Sequence, residues 1–159
     1  HSSVGKRYRY LVCNLPYRSP FSRNKSWWVR KSLNLEAIRE ASSYLVGKHD
    51  FSAFRAAACS SPNTNKDLRE ILCDVKPWLH ANLCFELEAD SFLQHMVRIM
   101  VGTLVQVGTG KLKPEQMEGI LESRDRTQAG LTAPAHGLYA LAVHYPEDRI
   151  EWPDELMDS

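Results

Sequence analysis

Apolar and polar positions alternate over residues 7–13, setting Tyr8, Tyr10 and Val12 on one side and Arg7, Arg9 and Leu11 on the other. That is the period of a strand. Residues 14–33 lose the alternation and carry turn chemistry instead, through Pro16, Ser19, Pro20, Ser22 and Asn24. Asn34 suits the N-cap of a helix with Leu35, Ile38, Ala41 and Leu45 on one face and Gly47 as its stop. A polar, turn-rich patch at 60–65 leads to a strand over 68–76. Pro77 and residues 80–82 then turn into a second strand, where Leu83, Phe85 and Leu87 alternate with Cys84, Glu86 and Glu88. The two predict a hairpin. Ten of the sixteen residues at 92–107 are apolar, which predicts a buried helix ended by Gly108 and Gly110. Pro114 opens a short helix through Met117, Ile120 and Leu121, and residues 138–145 predict a last, mostly apolar strand.

The order strand, helix, strand, strand, helix, short helix, strand is the split βαβ plan. It predicts an α+β, ferredoxin-like domain whose antiparallel-rich sheet carries its two longer helices on one face. A chain of 159 residues, 43% of them hydrophobic, fills one ordinary core. We therefore expect a single domain over 1–146 and an acidic tail at 147–159. No internal repeat is visible.

Charge is nearly balanced over the whole chain, at +1, but unevenly spread. Residues 1–31 hold eight Lys and Arg and no acid, whereas 147–159 hold six acids against Arg149. Such a basic run is either a phosphate-facing surface or a solvated face that binds nothing. Trp27 and Trp28 within it are candidates for stacking on bases and equally for packing. Cysteines 13, 59, 73 and 84 lack metal-ligand spacing, and no secretory leader precedes them, so neither a metal site nor a disulfide framework is expected and an intracellular, reducing setting fits. The longest apolar stretch is broken by Arg98 and is shorter than the roughly 20 residues of a membrane-spanning helix. No membrane partner is expected.

Arg98 is the conspicuous residue of the apolar segment FLQHMVRIMVGTLVQVGTGKL. A guanidinium keeps its proton, so a partly buried one needs an anion or several carbonyls. No Asp or Glu occurs between Ser91 and Pro114, so any partner comes from elsewhere in the fold. Carbonyls or a distant Glu would make Arg98 purely structural; an anion brought in for chemistry would make it functional.

A second segment, APAHGLYALAVHY at 133–145, bears on that choice. Together with KRYRYLVCN at 6–14, KHDFSAFRA at 48–56, HMVRIMVG at 95–102 and SRDRT at 123–127, it resembles the TruA-type tRNA pseudouridine synthases in nearly the whole chain and in order. The resemblance implies a reaction without a cofactor, in which an aspartate acts on the uridine glycosidic bond, the base rotates and is rejoined through carbon. It places that aspartate in an RTD-x-G motif of an N-terminal half. The motif is absent here, and neither Asp50 nor Asp125 stands in its place. The chain therefore resembles the C-terminal half alone, cut from a longer protein or naturally truncated, and inactive by itself.

By resemblance, Arg98 is the basic residue of the active site and Tyr8 the residue whose ring lies against the target uracil and whose phenol serves in proton transfer. Leu138 matches the apolar residue beneath the base. Arg55, His95 and Lys66 are candidates for RNA contact, with a surface arginine and an oriented helix histidine as the plain readings of the first two. Lys66 stands where many relatives carry arginine, and Ile99 where some carry asparagine. A lysine supplies a point charge without arginine's bidentate fork. The implied partners are tRNA, uridines of its anticodon stem-loop being the target, the missing half, and a second copy in a homodimer. The competing class is a catalytically incompetent RNA-binding module, distinguished by what precedes His1.

Overall fold

The alternation near the N-terminus is realised in strand β1 (Lys6–Cys13), whose Tyr10 and Val12 are fully buried while Arg7 and Arg9 lie on the opposite face. The computed structural model describes residues 5–77 and 81–142. After β1 come the two-residue strand β2 (Trp27–Trp28), helix α1 (Leu35–Ser43), and strands β3 (Gly47–Asp50), β4 (Asn65–Val75) and β5 (Leu83–Ala89). Helices α2 (Met96–Gly108) and α3 (Gln116–Ser123) and strand β6 (Leu138–Ala140) complete the order. Short 3-10 turns occupy Ser52–Phe54, Arg126–Gln128 and Ala135–Gly137.

β5 runs antiparallel between β1 and β4, and β3 pairs antiparallel outside β4. The other edge of β1 is shared. β6 pairs antiparallel with Tyr8, Arg9 and Tyr10, and β2 pairs in parallel with Val12 and Cys13. The run β6-β1-β5-β4, with α1 and α2 packed on one another and against the sheet, is a ferredoxin-like α+β fold. Leu83, Phe85 and Leu87 of β5 face the helices, as their alternation predicts.

Asn34 caps α1 through its side chain, which accepts from the Ala37 N–H at 3.1 Å. Helix α2 is buried almost throughout because the sheet, α1 and the segment at 129–133 cover it on several sides, so its apolar residues do not form a narrow stripe. Gly102 permits the last of these contacts: a Cβ there would fall onto the Leu131 carbonyl. The Thr103 hydroxyl accepts from the Gly130 N–H at 2.9 Å one residue further along.

The helix expected over 92–107 begins only at Met96. His95 turns the chain with φ 62°, a left-handed conformation that stops the helix from extending backward, so Phe92 and Leu93 approach it in non-helical backbone. Leu93 is nevertheless buried, and an apolar run cannot by itself separate these two backbones. Helix α1 stops at Ser43, so Leu45 reaches the core from the following loop and Gly47, at φ 119°, opens β3 instead of capping the helix. The strand expected over 68–76 runs from Asn65 to Val75. Strands β2 and β3 were not legible in the hydrophobic pattern. Of the strand expected at 138–145, Leu138–Ala140 forms it, and residues 143–145 lie outside the described residues, as do the tail at 147–159 and residue 80 of the predicted turn.

The sheet face away from the helices holds a charge network. Glu86 accepts from Arg7 Nε at 2.9 Å on one oxygen and from Arg9 Nε at 3.0 Å on the other, while Arg7 also donates to Glu70 and Glu88 at 2.8 and 3.0 Å. Two cations of the basic N-terminal run are thus already neutralised. Burial would raise the Glu86 carboxyl, but the bonds from Arg7 and Arg9 outweigh it and hold it below its ordinary value of 4.5. Lowering in the folded state means that this stabilisation is complete above the unfolded value and is lost as pH falls through the folded one. We expect Glu86→Gln to cost about 1–3 kcal/mol near neutrality. Urea denaturation across pH should show the two proteins converging below pH 4.5; a gap independent of pH would assign the loss to packing.

Candidate active site

The turn at Gln94 and His95 and the start of α2 form one wall of an open hollow, and β1 and β6 form the other. Tyr8, Phe92, His95, Arg98, Ala135 and Leu138 line it. Its volume of about 280 Å³ lies at the lower edge of the roughly 300–1,000 Å³ usual for ligand pockets. Strand pairing sets its floor: Tyr8 is opposite Ala140 and Tyr10 opposite Leu138, so Tyr8 and Leu138 project from adjacent strands. Phe92 meets Tyr8 edge to face, with centroids 5.2 Å apart and planes at 83°. This contact fixes the tyrosine ring by packing and leaves the hollow with an aromatic and aliphatic surface.

Arg98 is partly buried and tied to Ala133 twice. Its Nε donates to the Ala133 carbonyl at 2.7 Å, and the Ala133 N–H donates to the Arg98 carbonyl at 3.0 Å. One carbonyl orients the guanidinium without neutralising it. Among the described residues no carboxylate forms an ion pair with Arg98, and none lines the hollow.

Asp90, Asp125 and Asp50 have other tasks. The Asp90 carboxylate accepts from the Ser91 and Asp67 N–H groups, and Asp125 caps the 3-10 turn at Thr127. Asp50 accepts from the Ser52 N–H and hydroxyl and lies 3.6 Å from Arg124.

Tyr10 supports the hollow from below. Its hydroxyl donates to the Pro134 carbonyl at 2.5 Å, and burial pushes the phenol far above its ordinary value, offset only in part by the charge of Arg98. It stays a neutral donor. The turn Ala135–Gly137 lies directly on this ring, and a Cβ at Gly137 would meet Tyr10 Cζ at 2.7 Å.

Of the residues singled out in the sequence, Tyr8, His95, Arg98 and Leu138 meet in one place. Arg55 and Lys66 do not line it. They lie near Cys59, whose thiol is lowered by the Ser61 and Gln94 N–H groups and then by the charges of Arg55 and Lys66. Gln94 connects the two regions, since it lines the hollow and its carbonyl accepts from the Ala56 N–H at 3.0 Å. His95 is exposed and precedes α2, so the reading of an oriented helix histidine is corrected. Phe92, Tyr10 and the Ala133 carbonyl were not foreseen. Phe92 was indistinguishable from a helical core residue, and a main-chain carbonyl leaves no mark in a sequence.

An apolar floor, a packed tyrosine and an oriented cation without an ion-pair partner among the described residues thus meet at one hollow. A family model described as tRNA pseudouridine synthase matches residues 41–146. The chain belongs to the tRNA pseudouridine synthase family. It is 43% identical over 153 residues to tRNA pseudouridine synthase A of Syntrophotalea carbinolica, covering 95% of this chain and 59% of that protein. It is 41% identical to the protein of that name from Thermoanaerobacter sp. strain X514, covering 91% and 58%, and 39% identical to that of Orientia tsutsugamushi, covering 91% and 50%. The chain thus spans half to about three-fifths of the length of these relatives. No helix among the described residues is long and apolar enough to cross a membrane.

Proposed function

We propose that this chain carries one half of the catalytic centre of a tRNA pseudouridine synthase acting on uridines of the anticodon stem-loop, and that a preceding segment supplies the nucleophilic aspartate. The observation that carries the reading is Arg98: partly buried, oriented by Ala133, and facing a hollow without a carboxylate among the described residues. An incoming carboxylate would find a charge-assisted partner that keeps it ionised and aimed. The flipped uracil would lie against Tyr8 and Leu138, since a base taken out of its stack needs an aromatic or apolar platform. The nitrogen–carbon glycosidic bond breaks, the base turns, and a carbon–carbon bond forms. A proton leaves that carbon and one is gained at the freed nitrogen, and the Tyr8 phenol is placed to serve in this exchange. The isomerisation is redox-neutral and calls for no cofactor. Homodimerisation belongs to the same reading.

The test is pseudouridine formation in an unmodified tRNA transcript, read by carbodiimide labelling, by this chain alone and by the protein with its preceding segment. We expect conversion only by the longer protein. Turnover by the chain alone would refute the divided centre, whereas tRNA binding without turnover by both would favour a binding module.

A further inference from the structure

The basic loop between β1 and α1 contains a second hollow, of about 180 Å³, bounded by Arg18, Arg23, Trp28 and His136. It is built, not merely basic. Trp28 is fixed by its pairing with Cys13 and by an indole N–H bond to the Leu15 carbonyl at 3.0 Å. The Arg18 guanidinium lies over the indole at 5.7 Å from the ring centroid, a cation–π arrangement that holds it in place without neutralising it. Main-chain bonds from Ser22 to Ser19 and from Lys25 and Ser26 to Ser22 curl the loop on itself, and the left-handed Asn24, at φ 61°, closes it. Arg7 and Arg9 have acids; Arg18 and Arg23 form no ion pair among the described residues, and no acid lines the hollow. Tyr17 and Phe21, on the same loop, are 65% and 60% exposed.

This loop is joined to the wall of the candidate active site. His136 shares a 3.0 Å hydrogen bond with the Ser26 carbonyl, and the Tyr139 hydroxyl donates to the Lys25 carbonyl at 2.7 Å. Ala135 and Leu138 border the base-sized hollow, while His136 between them borders the arginine hollow. One turn, Ala135–Gly137, therefore separates the two.

We propose that Arg18 and Arg23 form a cradle for a phosphate of the RNA backbone close to the nucleotide whose base enters the first hollow. The proposal rests on the function proposed above and adds to it the site that grips the backbone. Two uncompensated guanidinium groups supply donors for phosphate oxygens and release condensed counterions on binding. Phosphate contacts of this kind position a strand without reading its sequence, which suits an enzyme that must present one base to a fixed site.

The test uses the complete protein and an unmodified tRNA transcript. For the double variant Arg18→Gln and Arg23→Gln we expect affinity about 10-fold or more weaker at moderate salt. The plot of log affinity against log salt should be shallower by about 1–2. Arg18→Lys with Arg23→Lys should recover the salt slope, because a phosphate contact needs the charge and a purely structural role of the loop does not. If the unaltered protein binds and modifies tRNA while the Gln variant matches it in affinity and slope, the cradle is refuted and the proposed function stands. If the unaltered protein neither binds nor modifies tRNA, the proposed function falls and the cradle with it.

Discussion

Arg98→Met in the complete protein is expected to lower single-turnover pseudouridine formation by about 10³-fold while tRNA affinity changes little. Methionine fills much of the same volume but removes the charge that, in the proposed function, an incoming carboxylate would pair with. A carboxylate without its partner in a partly dry hollow is pushed toward its neutral, unreactive form. The fold should lose about 1–2 kcal/mol, since the Ala133 carbonyl forfeits its donor from Nε. Rate and stability are therefore measured together, by turnover under saturating tRNA and by urea denaturation. A variant that keeps a near-normal rate would remove Arg98 from the chemistry, and one that is inactive because it is unfolded would be recognised from the denaturation curve.

Gly102→Ala is expected to have the largest effect on stability. The added methyl would coincide with the Leu131 carbonyl, so the main chain of α2 or of the loop must move, and neither is a flexible side-chain end. Overpacking of this kind costs about 3 kcal/mol, and in a domain of this size lowers the melting temperature by roughly 6–12 °C. The same displacement would loosen the Gly130 bond to Thr103 and shift Ala133, which orients Arg98. Loss of rate should therefore accompany the drop in melting temperature. A folded variant with unchanged melting would show that the loop does not rest on α2 as described.

The architecture was largely legible because it rests on local signals. Asn34 caps as its side chain allows, and the alternation of Leu83, Phe85 and Leu87 with Glu86 and Glu88 gives the two faces of β5. The pairing of β4 with β5 follows from the hairpin expected around Pro77. What escaped depends on long-range register or on main-chain conformation. β3 is four residues long, with no apolar alternation in Gly47–Asp50, and β2 exists only because Trp27 and Trp28 meet the end of β1. The pairing of Arg7 with Glu86 spans 79 positions and redefined what the basic N-terminal run can do. Composition could not divide that run into neutralised and available cations. The site was legible in part: four candidates share one hollow, but Arg55 and Lys66 lie elsewhere, and the restraint on Arg98 comes from a carbonyl group that every residue possesses.

The twofold tie between Arg98 and Ala133 joins positions 35 apart, and the floor beneath it comes from β6, the last described strand. A ribosome-bound chain that has emerged only through α2 therefore exposes the arginine without the Ala133 carbonyl that aims it and without Leu138 beside Tyr8. In the proposed reading, the hollow that would take a base is complete only once β6 (Leu138–Ala140) has paired with β1.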